Sequence, residues 1–149
     1  YWPRIEPKDA VTVWMALDDA DRQNGCMRVI PGTHREKRDL GQRAVDRADL
    51  LMPNAIELPP DVIDESIAED VIMKVGDASF HDSYLVHGSE PNRSDRRRAA
   101  LTIRYVPSTT RIQPRWDRKQ YLVRGTAAAN DNEYYEFGDD RAIPARELV

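Results

Sequence analysis

The chain has 149 residues, 40% of them hydrophobic, a length that suits a single core and is short for two comfortable domains. A net charge of −4 and an isoelectric point near 5.4 argue against a general nucleic-acid binder. The lone cysteine, Cys26, excludes an internal disulfide, and no uninterrupted apolar stretch is long enough to suggest a membrane span, so a cytoplasmic protein is expected.

Short apolar runs recur between turn signals. Residues 10–17 alternate Val11, Val13 and Met15 against Thr12, Trp14 and Ala16, the period of a strand. The polar segment 18–24 reads as the connection to a second strand over 25–30, and the two are expected to form a hairpin-like pair. Cys26 lies inside that second run and reads as a small buried hydrophobe. Pro31-Gly32 ends the run. From residue 33 to about 70 the pattern turns charged, with a short helix expected over 40–51 and an acidic stretch over 57–70; so long an insertion suggests a lid or binding loop. Further strands are expected over 71–74, 78–86 and 99–106, and the tail 107–149 is expected to be partly irregular. Many short strands with few helices indicate a sandwich or barrel.

The segment 76–98, GDASFHDSYLVHGSEPNRSDRRR, carries the chemistry. It sets His87 at the end of an expected strand and an arginine cluster shortly before the next. Imidazole is a common transition-metal ligand, and guanidinium is the side chain best shaped to grip a carboxylate. Together they suggest a metal that activates an acid cosubstrate. Each residue also has a plainer reading. A strand-end histidine is usually structural, Ser89 can cap a turn, Pro91-Asn92 is a turn dipeptide, and an arginine cluster on an acidic chain is usually a solvated face. Arg98 stands apart because it precedes strand 99–106 and shares, by alternation, a face with Ala100, Thr102 and Arg104. His81 shares parity with Ser83, Leu85 and His87 along 78–86, which would aim it at the same interior or leave it a satisfied structural histidine.

His87-Gly88-Ser89, Pro91-Asn92 and Arg98, together with the block from Val11 to Asp18 and the run Asn24-Gly25-Cys26-Met27-Arg28-Val29-Ile30-Pro31-Gly32-Thr33-His34, resemble the phytanoyl-CoA dioxygenase family of Fe(II)/2-oxoglutarate oxygenases. The resemblance implies a mainly β fold, a double-stranded β-helix of the jelly-roll or cupin-like kind, with the metal in one mouth. In that family iron is held by a His-x-Asp pair plus a distal histidine, which His87 matches. Neither His34-Arg35-Glu36 nor His81-Asp82-Ser83 has the His-x-Asp spacing. The pair normally precedes a segment like Tyr1-Trp2-Pro3, so the chain is expected to be a single partial oxygenase domain over 1–149, incomplete at its N-terminus and inactive alone. Residues 33–70 would form its insertion or lid and 107–149 its tail.

Carried onto this sequence, the resemblance makes His87 a metal ligand and Arg98 the partner of the far carboxylate of 2-oxoglutarate, with Arg97 and then Arg104 as the alternatives. Ser89 and the aromatic Trp14 would approach the cosubstrate, while His81, Thr102 and Arg104 are candidate pocket residues. His34 is better read as fixing a loop. The implied reaction uses Fe(II), 2-oxoglutarate and O2 to hydroxylate a small organic substrate, releasing succinate and CO2, with no nucleic-acid or membrane partner. Two other readings stand beside it: a halogenase, in which a small residue replaces the carboxylate ligand, and a noncatalytic partial barrel, since one histidine does not make a metal site.

Overall fold

The computed structural model describes residues 5–38, 40–41, 43–44, 56–58, 62–113 and 120–135. Its strands are β1 Ile5–Glu6, β2 Val11–Ala16, β3 Met27–Val29, β4 Arg43–Ala44, β5 Ile56–Glu57, β6 Glu69–Val71, β7 Ala78–Asp82, β8 His87–Ser89, β9 Ala100–Tyr105, β10 Arg111–Ile112, β11 Gln120–Tyr121 and β12 Tyr134–Tyr135. The only helical pieces among the described residues are 3₁₀ turns at Thr33–Glu36 and Glu65–Ile67, and no helix there is long and apolar enough to cross a membrane. The molecule is therefore mainly β.

Two compact units result: Thr12–Arg104, and Tyr1–Val11 with Tyr105–Val149. In the second, β1 pairs antiparallel with β10, and β11 runs parallel to β12, where Tyr121 and Tyr135 stack with ring centroids 4.9 Å apart. The first unit carries two three-stranded sheets, ordered β7-β2-β9 and β6-β3-β8, and the short antiparallel pair β4–β5. The chain alternates between the sheets: β2 lies in one and β3 in the other, and β6, β7, β8 and β9 then switch at every step. That alternation is the double-stranded β-helix. Its core draws on Val13 and Ala16 of β2, Met27 of β3, and Ala20, Cys26, Ile30 and Met73 at the strand ends.

Four expectations are corrected here. The strands over 10–17 and 25–30 exist as β2 and β3 but do not pair with each other, because the connection crosses from one sheet to the other. The expected strand 78–86 breaks after Asp82, whose side chain accepts the Tyr84 N–H at 2.7 Å and whose carbonyl accepts the Leu85 N–H at 3.2 Å. His87 therefore opens β8 and does not close β7. The strand expected over 71–74 sits earlier, as Glu69–Val71, with Met73 making only an isolated bridge to Ala20. Of the helix expected over 40–51, Arg43–Ala44 is strand, and 42 and 45–51 lie outside the described residues.

The turn between β2 and β3 is closed by Asn24 and Gly25. Gly25 has φ +75°, and a Cβ there would stand 2.5 Å from the Glu90 carbonyl oxygen and 3.3 Å from the Asn92 nitrogen. Only glycine fits a left-handed turn against which another backbone packs this closely.

Candidate functional site

His87 is placed by β3. Within the antiparallel β3–β8 pair it lies opposite Val29, and just before it the Val86 carbonyl accepts the Ile30 N–H at 2.9 Å. Thr33 completes the hold: its hydroxyl accepts from the Val86 N–H at 3.0 Å and donates to the Ile30 carbonyl at 2.9 Å. The hydroxyl of the Pro-Gly-Thr-His run thus ties the exit of β3 to the residue preceding His87, a role the sequence alone did not reveal.

The His87 ring is exposed, and its Nδ1 lies 2.7 Å from the Leu85 carbonyl oxygen. A carbonyl oxygen only accepts, so Nδ1 carries a proton, and in the neutral form of the ring it is Nε2 that offers a lone pair. This is how a metal-ligating imidazole is normally oriented by its outer partner. His87 thus fits one ligand position of an iron site. Among the described residues no group of three His, Cys, Asp or Glu side chains comes together, so they do not form a full ligand set by themselves.

His81, on β7, is buried, and its ring centroid lies 4.8 Å from that of His87 at a tilt of 52°. Strand parity does not account for this proximity, because a turn separates the two residues and β7 and β8 belong to different sheets. Burial, then the His87 and Arg104 charges, push the His81 pKa down to about 4 against the opposing pull of Asp82. His81 is accordingly neutral near pH 7. Its Nδ1 and the Ser79 hydroxyl are buried with no hydrogen-bond partner among the described residues.

The arginine cluster separates by partner. Arg96 pairs with both Asp21 carboxylate oxygens at 2.8 Å, and Arg97, largely exposed, grips Asp18 through Nε at 2.8 Å and Nη2 at 2.9 Å. The Arg97 guanidinium is thereby committed to Asp18. Arg98 is half-buried, with its guanidinium 5.8 Å from the centroid of the half-buried Trp14 ring, within cation–π range. Thr102 and Arg104 on β9 are exposed. Ser89, also exposed, lies on β8 opposite Met27. The structure thus joins His81 to His87 and Arg98 to Trp14, with the Arg104 charge felt at His81.

Asn92 is a turn former: its Oδ1 accepts the Ser94 N–H at 2.9 Å and its Nδ2 donates to the Arg96 carbonyl at 2.7 Å. His34 sits half-buried in the 3₁₀ turn Thr33–Glu36. Cys26 is buried, and burial together with Asp70 and Asp21 raises its thiol pKa, leaving it an inert packing residue. Asp18, Asp21 and Asn24 were not singled out from the sequence. The complementarity of the acidic run 18–21 to the basic run 93–98 was the available signal.

Comparison with known proteins extends this geometry. The model of the family described as Phytanoyl-CoA dioxygenase (PhyH) matches residues 1–100. The chain is 30% identical over 140 residues to the phytanoyl-CoA dioxygenase domain-containing protein 1 homolog of Caenorhabditis elegans, covering 91% of this chain and 45% of that protein. Among solved structures it is similar to the non-heme monooxygenase ThoJ in its apo form, with TM-score 0.67 and 28% identity over 90% of this chain and 46% of that one. The nickel complex of ThoJ matches at TM-score 0.60 and 25% identity, over 95% and 49% of the two chains. EvdO2 from Micromonospora carbonacea var. aurantiaca, complexed with 2-oxoglutarate, matches at TM-score 0.57 and 27% identity over 68% and 39%. The chain spans less than half the length of each of these proteins.

Proposed function

The chain belongs to the phytanoyl-CoA dioxygenase family, and from that premise we propose that the whole protein is an Fe(II)/2-oxoglutarate-dependent dioxygenase that hydroxylates a small organic substrate and releases succinate and CO2. The observation that carries this reading is the division of labour among the arginines, together with a separately oriented histidine. Arg97 is tied to Asp18, Arg98 is half-buried over Trp14, and His87 has Nδ1 committed to Leu85 with Nε2 left over. The 2-oxoglutarate complex of EvdO2 and the nickel complex of ThoJ support it by similarity.

Bound iron would supply O2 activation and the oxidation of an unactivated C–H bond, with 2-oxoglutarate as the co-reductant. The residues of this chain prepare the site for it. His87 would offer Nε2 as one ligand, its ring direction set by Leu85 and by the Thr33 clamp. Arg98 would hold the far carboxylate of the cosubstrate through two parallel hydrogen bonds, with the Trp14 face keeping the guanidinium from turning and excluding water from one side. Ser89 would add a hydroxyl contact. His81, neutral near pH 7, would wall the site beside His87 without placing a second positive charge near a cation.

The test is to incubate the whole protein with 2-oxoglutarate and O2, with and without Fe(II), and to measure succinate. Succinate release that appears with Fe(II) and disappears on chelation is expected. A whole protein that takes up Fe(II) yet neither binds nor consumes 2-oxoglutarate contradicts the reading.

A further inference from the structure

Both peptide units that flank Arg98 are bonded to the turn following β2. On one side, the Arg97 carbonyl accepts from Asn24 Nδ2 at 3.3 Å. Asn24 is 0% exposed and is itself fixed, donating to the Asp19 carbonyl at 2.7 Å and accepting the Asp21 N–H at 2.8 Å. On the other side, the Ala99 N–H donates to the Asp18 carboxylate at 2.8 Å, while the Ala99 carbonyl accepts the Leu17 N–H at 3.0 Å. The same Asp18 carboxylate receives two bonds from the Arg97 guanidinium. Residues 17–24 therefore fix the backbone before and after Arg98 and draw the neighbouring guanidinium away.

An exposed ion pair such as Arg97–Asp18 adds little to stability. Three donors converging on one carboxylate, one of them backbone, achieve something else: they set the direction in which the Arg98 side chain leaves the chain. We propose that Asp18 and Asn24 are positioning residues for Arg98, fixing the approach of its guanidinium to a dicarboxylate cosubstrate. The proposal rests on Arg98 being the carboxylate grip and goes further by stating what aims it. A two-pronged guanidinium–carboxylate pair depends on orientation as well as charge. Mis-aiming Arg98 therefore weakens an acid with a far carboxylate and leaves alone a 2-oxo acid that lacks one.

The experiment measures, by calorimetry on the nickel-loaded whole protein, dissociation constants for 2-oxoglutarate and for 2-oxobutyrate, which has no second carboxylate. The variants are Asp18→Ala, Asp18→Asn, Asn24→Ser and Arg98→Gln. Asp18→Ala and Asn24→Ser are expected to weaken 2-oxoglutarate by about tenfold, with 2-oxobutyrate unchanged within about twofold. Asp18→Asn, which keeps an acceptor for the Ala99 N–H, is expected to fall between Asp18→Ala and the unsubstituted protein. Equal weakening of both acids, or none of either, overturns the positioning role. If Asp18→Ala does not fold, Asp18→Asn carries the same comparison, and loss confined to 2-oxoglutarate supports the proposal. Arg98→Gln separates the two claims. If it leaves 2-oxoglutarate affinity intact, the reading of Arg98 fails; if it alone loses affinity, that reading stands and the positioning role fails.

Discussion

Four arginines between Arg93 and Arg98 are chemically equivalent as letters, and their partners distinguish them. Asp21 takes Arg96, Asp18 takes Arg97, and Arg98 lies over Trp14. If Arg98 grips the cosubstrate, Arg98→Lys in the whole protein should weaken 2-oxoglutarate by about ten- to more than a hundredfold, from about 1.5–3 kcal/mol for a lost prong and its geometry. His87→Ala should instead abolish iron binding, so a cosubstrate titration and an iron assay on both variants must show two different failures. Normal cosubstrate affinity in Arg98→Lys would count against the assignment. At Gly25, an added Cβ meets the Glu90 carbonyl oxygen at 2.5 Å in a left-handed turn. Gly25→Ala should therefore destabilise the chain by about 1–3 kcal/mol in urea unfolding; a change below about 0.5 kcal/mol would show that the Glu90–Asn92 backbone yields freely. At this scale the sequence was informative about type and silent about partner. It pointed to His87, Arg98 and Trp14 through a resemblance, but the Leu85 carbonyl that selects the His87 tautomer and the Asp18 carboxylate that removes Arg97 act through space, so no local pattern announces them.

Among the elements, strands with clear period-two alternation were legible: β2 and β9 fall within a residue or two of their expected limits. Connections were not. An apolar run of residues 78–86 reads as one strand until Asp82 turns the chain by capping Tyr84, and the β2–β3 pair looks like a hairpin until the two join different sheets. Strand pairing is decided by sheet packing, which periodicity does not encode. The turn between β2 and β3 also carries a pH signature. Asp18, Asp19 and Asp21 are held below their ordinary value of 3.8, first by hydrogen bonds from Arg97, Lys74 and Arg96 respectively. Because the folded state binds these protons less readily than the unfolded state, their stabilisation is fully present above about pH 4 and is lost as the pH falls through the lowered values. Urea unfolding of the unsubstituted chain and of Asp18→Asn should therefore differ most between pH 5 and 7 and converge as the pH falls toward 2. A difference that grows on acidification would have the wrong sign and would remove the ion pair as its cause.

For the whole molecule, the double-stranded β-helix was recognisable because two separated blocks, one around Pro31-Gly32-Thr33-His34 and one around His87-Gly88-Ser89, keep their order and spacing. The structure explains the link between them: Thr33 bonds the residue before His87, so the blocks are two halves of one construction. The most direct test is a structure of the whole protein grown without oxygen in the presence of Fe(II) and 2-oxoglutarate. It should show His87 Nε2 coordinated directly to the metal and both prongs of the Arg98 guanidinium on the far carboxylate, over the Trp14 ring. A metal bound away from His87, or a far carboxylate held by another residue with Arg98 turned to solvent, would contradict the account.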